Sequence, residues 1–308
     1  MTPEFRCYLC AGRDGRLVAN SDAKTRERLR VKQCAKCGLV QQFPLPDSRD
    51  LHVYYSHHYR LDYKRVHQPR AKHVHRAGIA ALARIDFLAE AGIRAGRLID
   101  VGAGGGEFVF MAGRKGFQAS GVEPNLGYSA FARDAYDVSV QTAEVGSLQG
   151  SSADVITMFH VLEHIADPRA ALESIWQALT PDGHLFIEVP NITAADASPH
   201  NIYFKAHLFY FSAATLAALA HVRFELVASD DRGNLRMLLR RRETPAQARL
   251  PEPAAVQDAH RRLDEKGWLE YMTRGRGWRK PISRWRRHRV EAGFDSVGPR
   301  DILNSLIV

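Results

Sequence analysis

The sequence predicts a doubly wound α/β domain on a mostly parallel seven-stranded sheet, with a small cysteine-punctuated module before it and a helical basic extension after it. Three features carry that prediction. Seven short apolar runs follow one another, at 98–101, 118–122, 138–141, 155–159, 184–189, 224–229 and 235–240. Helical patterns lie between them, including one near 212–220, and strands alternating with helices build parallel βαβ units with right-handed crossovers. The first run ends in a glycine-rich turn and the second ends in an acid, Glu123.

Composition sets the outer limits. The chain has 308 residues, 45% hydrophobic and 25% charged, enough for one large core plus small appendages. No apolar run reaches bilayer length. The opening Met1-Thr2-Pro3-Glu4-Phe5 lacks the charged-then-apolar order of a secretory signal. A cytoplasmic protein without a transmembrane segment is therefore expected.

The pattern divides the chain into a module at 1–46, a helical and aromatic linker or cap at 47–97, the α/β domain at 98–243 and the extension at 244–308. The linker holds Tyr54, Tyr55 and Tyr59, whose faces suit either an acceptor site or a core. It continues into a helical pattern with Ile79, Leu82, Ile85, Phe87 and Leu88 as its apolar stripe.

All four cysteines fall in two pairs, Cys7-x-x-Cys10 and Cys34-x-x-Cys37-Gly38. Each pair can turn two thiolates onto one tetrahedral ion, and in a reducing compartment this spacing points to Zn2+ rather than disulfides. Four thiolates leave no open coordination position, so the site is structural, either as a folding staple or as part of a recognition surface.

The α/β domain carries four ordered signals. The first is Leu98-Ile99-Asp100-Val101-Gly102-Ala103-Gly104-Gly105-Gly106-Glu107-Phe108, a strand running into a glycine turn and then a helix. Glycine turns of this kind serve several nucleotide-binding folds. The second is Gly121-Val122-Glu123-Pro124, which places an acid 23 residues after Asp100, the distance for a carboxylate to meet ribose hydroxyls. The third is Asp154 through Ile165 ("DVITMFHVLEHI"), and the fourth is "LTPDGHLFIEVPN" from Leu179, read as a turn feeding a strand.

Together these motifs resemble the class I S-adenosylmethionine-dependent methyltransferases over about residues 97–240. The resemblance implies a Rossmann-like sheet with S-adenosylmethionine as cofactor. Gly102, Gly104 and Gly106 would let the backbone approach the methionine and ribose. Asp100 would orient the loop and the ammonium group, and Glu123, followed by Pro124, would hold the ribose. Ala143 and Glu144 would lie near the adenine amine, with Phe159 and His160 bordering the cofactor.

The cysteine module, the "YYSHHY" stretch and Asn201 through Ser212 ("NIYFKAHLFYFS") jointly resemble bacterial sugar methyltransferases over roughly residues 7–240. Where the C-methylating members carry Glu before the His, this chain has Ala206, and their long C-terminal domain is replaced by the basic extension. Carbanion formation beside a ketone needs a strong base and enolate stabilisation, whereas an alcohol loses a single proton. The expectation is O-methylation of a sugar or glycan hydroxyl, on a free, nucleotide-linked or lipid-linked acceptor. His207 would be the general base, with a near-neutral ionisation, and His164 the second candidate. A buried structural role is the other reading of His207. His160, Glu163, His164 and His207 could also gather a divalent ion, as a Glu/His cluster does in some RNA and quinone methyltransferases.

The formal charge is +9, and residues 272–290 hold Arg274, Arg276, Arg279, Lys280, Arg284, Arg286, Arg287 and Arg289 without an acid. This run fits nucleic acid, an anionic membrane surface or a phosphorylated substrate, and fits equally a solvated helix face. An RNA methyltransferase and a non-catalytic cofactor-binding partner are the rival functions.

Overall fold

The structure is a computed structural model and describes residues 4–46, 69–148, 150 and 152–307. Tyr54, Tyr55 and Tyr59 lie outside the described residues. The first strands are β1 (Gly15–Ser21), β2 (Arg28–Cys34) and β3 (Val40–Gln42), followed by helix α1 (Ala71–Glu90). The alternating section comprises β4 (Gly96–Val101), α2 (Glu107–Arg114), β5 (Phe117–Val122), α3 (Leu126–Tyr136), β6 (Val140–Gln141), β7 (Ala153–Phe159), α4 (Pro168–Ala178) and β8 (Leu179–Pro190). After it come β9 (Phe209–Tyr210), α5 (Ala213–Ala220), β10 (Phe224–Asp230) and β11 (Asn234–Arg241). Four further helices complete the described chain: α6 (Pro253–Glu265), α7 (Trp268–Thr273), α8 (Lys280–Ala292) and α9 (Pro299–Asn304). Among the described residues no helix is long and apolar enough to cross a membrane.

All seven apolar runs become strands of one sheet, in the order β10-β11-β8-β7-β4-β5-β6. Strand β4 is parallel to both β5 and β7, β5 is parallel to β6, and β10 is antiparallel to β11. The sheet is thus mixed. Its strand order reverses at β4, which lies between β5 and β7, so the loops leaving β4 and β7 diverge at the strands' carboxyl ends. Such a switch point is where open α/β sheets bind ligands. The turn expected at 179–183 is instead the start of β8. A Cβ on Gly183 would come 2.9 Å from the Thr180 carbonyl oxygen, so glycine lets the chain pass closely there.

Contacts group the chain into two compact units that do not follow chain order. One contains 69–159 as described, 174–186 and 281–307. Within it α1 packs on α2 and α9. The buried face of α1 is Val74, His75, Gly78, Ala81, Ile85 and Leu88, whereas the expected stripe residue Ile79 is 50% exposed. Small residues explain the shift. A Cβ on Gly78 would lie 2.6 Å from Leu306 Cδ1 and 2.7 Å from Leu303 Cδ2, so the C-terminal leucines seat on the helix where side-chain bulk is least.

The other unit contains 4–46, 160–173 and 187–280. Its own sheet has the order β1-β2-β3-β9, and β3 pairs antiparallel with β9 through Val40↔Tyr210 and Gln41↔Phe209. Leu29, Val31, Val40, Ile192 and Tyr210 form a buried cluster there. Helix α6 joins it through an Arg16–Asp264 ion pair, an Arg16 Nη2 hydrogen bond to the His260 carbonyl at 3.1 Å, and Val256 against Gly38. The cysteine segment is therefore built into a larger unit by residues far along the chain.

Candidate functional site

The glycine turn is held against the sheet by its own backbone. Gly102 and Ala103 N–H both donate to the Val122 carbonyl, at 2.8 and 3.0 Å. Gly102, Gly104 and Gly106 have φ of 72°, 58° and 84°, a region glycine enters without steric cost. Gly106 has a packing duty besides: a Cβ there would lie 2.6 Å from Ala132 Cβ on α3.

Glu123 is buried at the end of β5, accepting from Gly104 N–H at 2.8 Å and from Asn125 N–H at 3.1 Å. These two bonds, one to each carboxylate oxygen, orient the group. Pro124 follows it, half-buried, and Ala143 N–H donates to the Glu123 carbonyl at 3.3 Å, which brings the segment after β6 to the same edge. Glu144 is exposed.

Asp100 is fully enclosed beneath the turn and accepts from the Thr157 hydroxyl at 2.6 Å. Burial pushes its carboxyl up to about 7, although Thr157 and Arg84 pull the other way. Phe159, at the end of β7, meets Phe108 and Phe186 edge-on at 4.8 and 5.1 Å, and the Arg84 guanidinium lies 4.0 Å from its ring centroid. Asp100, the glycines, Glu123, Pro124, Ala143, Glu144 and Phe159 all fall in the same unit. A positive-φ glycine turn over two buried carboxylates fits an adenosyl amino acid carrying ribose hydroxyls and cationic groups.

The histidines fall in the other unit. His160 adopts φ 56°, its N–H bonds the Glu188 carbonyl at 2.7 Å, and its ring sits between two carboxylates. Nε2 is 3.2 Å from Glu188 Oε1 and Nδ1 is 3.6 Å from Glu163 Oε1. Burial would lower its pKa, but the two carboxylates overcome this and push it up to about 9. Glu188 is further held by Arg236 Nε at 2.8 Å and Asn234 Nδ2 at 3.1 Å.

Glu163 is 1% exposed, and neither carboxylate oxygen has a hydrogen-bond partner among the described residues. Burial would raise it, yet His160 and the charge of His164 outweigh that and hold it at about 2. His164 Nδ1 lies 2.8 Å from the Ala206 carbonyl, which can only accept, so Nδ1 carries a proton. His207 meets His164 edge-on at 4.8 Å. Burial, then the neighbouring His164, depress His207 to about 3, not the near-neutral value expected from its type. Donor atoms of Glu163, His164 and His207 lie within 4.8 Å of one another. His160 is not part of that trio.

Gln42 positions this segment. Its Nε2 gathers the carbonyls of Phe204, Lys205 and His207 at 3.2, 2.7 and 2.8 Å, and Leu208 N–H bonds the Glu163 carbonyl at 2.8 Å. Nothing in the local sequence marks Gln42, Thr157 or Asn234 for these contacts. Glu188 had a signal, being an acid inside the apolar run "HLFIEVP".

Cys7, Cys10, Cys34 and Cys37 are unpaired by disulfides, and their sulfurs lie within 4.8 Å of one another. Cys7–Cys37 and Cys10–Cys34 are each 3.5 Å apart. Turns of the knuckle type present them: Ala11 N–H returns to the Cys7 carbonyl at 2.9 Å, and Gly38, at φ 76°, to Cys34 at 3.0 Å. This quartet could hold a metal ion.

A family model described as a methyltransferase domain matches residues 71–226, just over half of the chain. The chain belongs to that family. The methyltransferase is 32% identical over 121 residues to the ubiquinone biosynthesis O-methyltransferase of Cronobacter sakazakii, covering 36% of this chain and 50% of that protein. The namesake from Alkalilimnicola ehrlichii is 27% identical over 118 residues, covering 35% and 48%. The methyltransferase thus spans about half the length of the curated relatives it matches. Among solved structures, it is similar to the 1,6-didemethyltoxoflavin-N1-methyltransferase of Burkholderia thailandensis at 21% identity, with 68% and 97% of the chains covered and a TM-score of 0.46. The magnesium protoporphyrin IX methyltransferase of Synechocystis PCC 6803 aligns at 12% identity, 63% and 100% coverage and TM-score 0.47.

Proposed function

We propose that this methyltransferase O-methylates a sugar or glycan hydroxyl, on a free, nucleotide-linked or lipid-linked acceptor, with His207 receiving the hydroxyl proton. S-adenosylmethionine, when bound, supplies the activated methyl group. The glycine turn from Gly102, with Asp100, Glu123 and Pro124, would bind and orient it, with Ala143, Glu144 and Phe159 along its border.

The observation that carries this reading is the enclosure of His207, packed against His164, Phe204 and Tyr210 with its carbonyl held by Gln42, a setting in which burial favours the neutral ring. A pKa of about 3 leaves its ring neutral throughout the neutral range. It is a weak base, but an alcohol oxygen becomes strongly acidic as it gains a methyl group, so a weak base in place suffices. His164, its Nδ1–H fixed on the Ala206 carbonyl, is the second candidate. Ala206 offers no side-chain base beside His207, which suits removal of one proton from an alcohol better than enolate chemistry. The curated relatives are named as O-methyltransferases, which points the same way.

The test offers nucleotide-sugar, glycolipid and RNA acceptors with labelled S-adenosylmethionine and reads the product by mass and methyl-carbon NMR. An O-methyl ether on a sugar is expected. His207→Ala should lower turnover by roughly 10²–10⁴ with cofactor affinity unchanged, and wild-type activity should show no His207-dependent ionisation between pH 6 and 8. A C-methyl product, methylated RNA alone, or unchanged turnover in the variant overturns the proposal.

The orphaned carboxylate of Glu163 favours a second reading of the same cluster. Glu163, His164 and His207 would hold a divalent cation, which would polarise the acceptor hydroxyl when bound. In that case activity lost on chelation returns with the ion, and Glu163→Gln removes the requirement together with the activity. The cysteine quartet is proposed as a structural Zn2+ site, so metal analysis should find about one zinc per chain that Cys34→Ser abolishes.

A further inference from the structure

Helix α8 is attached along a single narrow side. Glu291 is its buried residue, 4% exposed, and it is gripped by Arg76 of α1 through Nε–Oε1 at 2.5 Å and Nη2–Oε2 at 2.6 Å. Just beyond the helix Phe294 stacks on His75 at 4.5 Å. Every residue from 281 to 290 is exposed.

With about 100° of rotation per residue, the face opposite Glu291 carries Ile282, Trp285, Arg286 and Arg289. Ile282 is 54% exposed and Trp285 58%, and the Arg289 guanidinium lies 4.5 Å from the Trp285 ring centroid. No acid lies among residues 281–290, and Glu291, the next one, faces Arg76 and, at 4.0 Å, Arg287 Nε. Apolar and aromatic side chains that could have been buried therefore stand outward beside Arg286 and Arg289, on a stretch that carries no acid of its own.

We propose that this outer face of α8 docks the enzyme onto an anionic lipid bilayer surface. The chemistry favours lipid over nucleic acid. Arginine serves either polyanion, and tryptophan can stack on bases or sit at the headgroup level. A branched aliphatic side chain such as Ile282 has no role on a phosphate backbone, whereas it gains by entering the headgroup–acyl boundary. Arginine stems lying along that boundary keep their charge at the phosphates. The proposal is independent of which acceptor is methylated.

Flotation with phosphatidylcholine vesicles, with and without phosphatidylglycerol, tests it on the full chain. Partition onto the anionic vesicles is expected, weakening as salt rises, with a blue shift of tryptophan emission that Trp285→Phe diminishes. Arg286→Ala with Arg289→Ala should reduce partition about tenfold or more, and Ile282→Ser with Trp285→Ala should do so by a similar factor. Arg13→Ala, an exposed site elsewhere, should leave it unchanged. Melting temperature and cofactor affinity of the α8 variants should match wild type, since the substituted side chains are exposed. Equal partition onto neutral vesicles, or indifference to both double variants, overturns the proposal. So does tighter binding of a labelled single-stranded RNA through the same residues, or a dimer in sedimentation velocity that Trp285→Ala dissociates.

Discussion

At Asp100 the proposed binding of the cofactor and the stability of the fold depend on one carboxyl. Its carboxyl is raised from 3.8 to about 7 by burial, so near neutrality it is poised between neutral and charged forms. A cationic cofactor favours the charged form, so affinity for S-adenosylmethionine should rise between pH 6 and 8 and release a proton on binding below pH 7. Titration calorimetry in buffers of different ionisation enthalpy reads that proton directly. The folding contribution has the opposite sign. A raised carboxyl gives stability that is fully present below its unfolded pKa and is lost as pH climbs through about 7. Asp100→Asn, which can still accept from Thr157, should therefore stabilise the protein at pH 8 by up to about 4 kcal/mol while weakening cofactor binding. Denaturant melts at pH 5 and pH 8 check this, and a variant no more stable at pH 8 contradicts it. Asp100 could be read from sequence because it precedes the glycine turn. Thr157 could not, because a threonine inside "DVITMF" looks like any strand residue until β7 is laid beside β4. The depression of His207 was equally hidden, since it arises from the enclosure that Phe204, Tyr210 and His164 provide.

At the level of elements, the strands and their order along the chain were legible because period and punctuation are local. Side-chain burial was not, because it depends on which neighbour arrives. Helix α1 buries Gly78 and exposes Ile79 for that reason. Strand β9 has two residues and no periodicity to display, so only its partner β3 reveals it. The glycine turn yields a prediction with its own control. Gly106→Ala places a methyl 2.6 Å from Ala132 Cβ at a φ of 84°, so a loss of about 1–3 kcal/mol is expected. Gly113, within α2, would direct a Cβ into open space, so Gly113→Ala should gain about 0.5–1 kcal/mol. Urea melts of both variants decide the matter, and similar losses in both would show that packing at Gly106 is not the cause.

For the whole molecule, the two units predict a divided response to metal removal. The cysteine quartet, the β1-β2-β3-β9 sheet and α6 belong to the same unit, whereas the glycine turn belongs to the other. Chelation after Zn2+ loading should raise amide exchange in residues 4–46, 209–210 and 253–265. Residues 96–141 should keep their protection. Exchange mass spectrometry reads both sets at once, and uniform loss across the chain would refute the division. The cysteine spacing predicts a module at 1–46. It cannot show that 209–210 and 253–265 complete it, because strand pairing and helix docking leave no local mark.

The pairing of β3 with β9 also orders events during synthesis. Gln41 must wait for Phe209 before its edge is covered. At roughly 5–20 residues per second, a ribosome needs about 8–34 s to extend the chain between them. Through that interval the nascent β3 edge stays open to any other strand, so whatever shields it at that stage, metal already seated in the cysteine knuckles or a chaperone, governs how much enzyme a cell recovers.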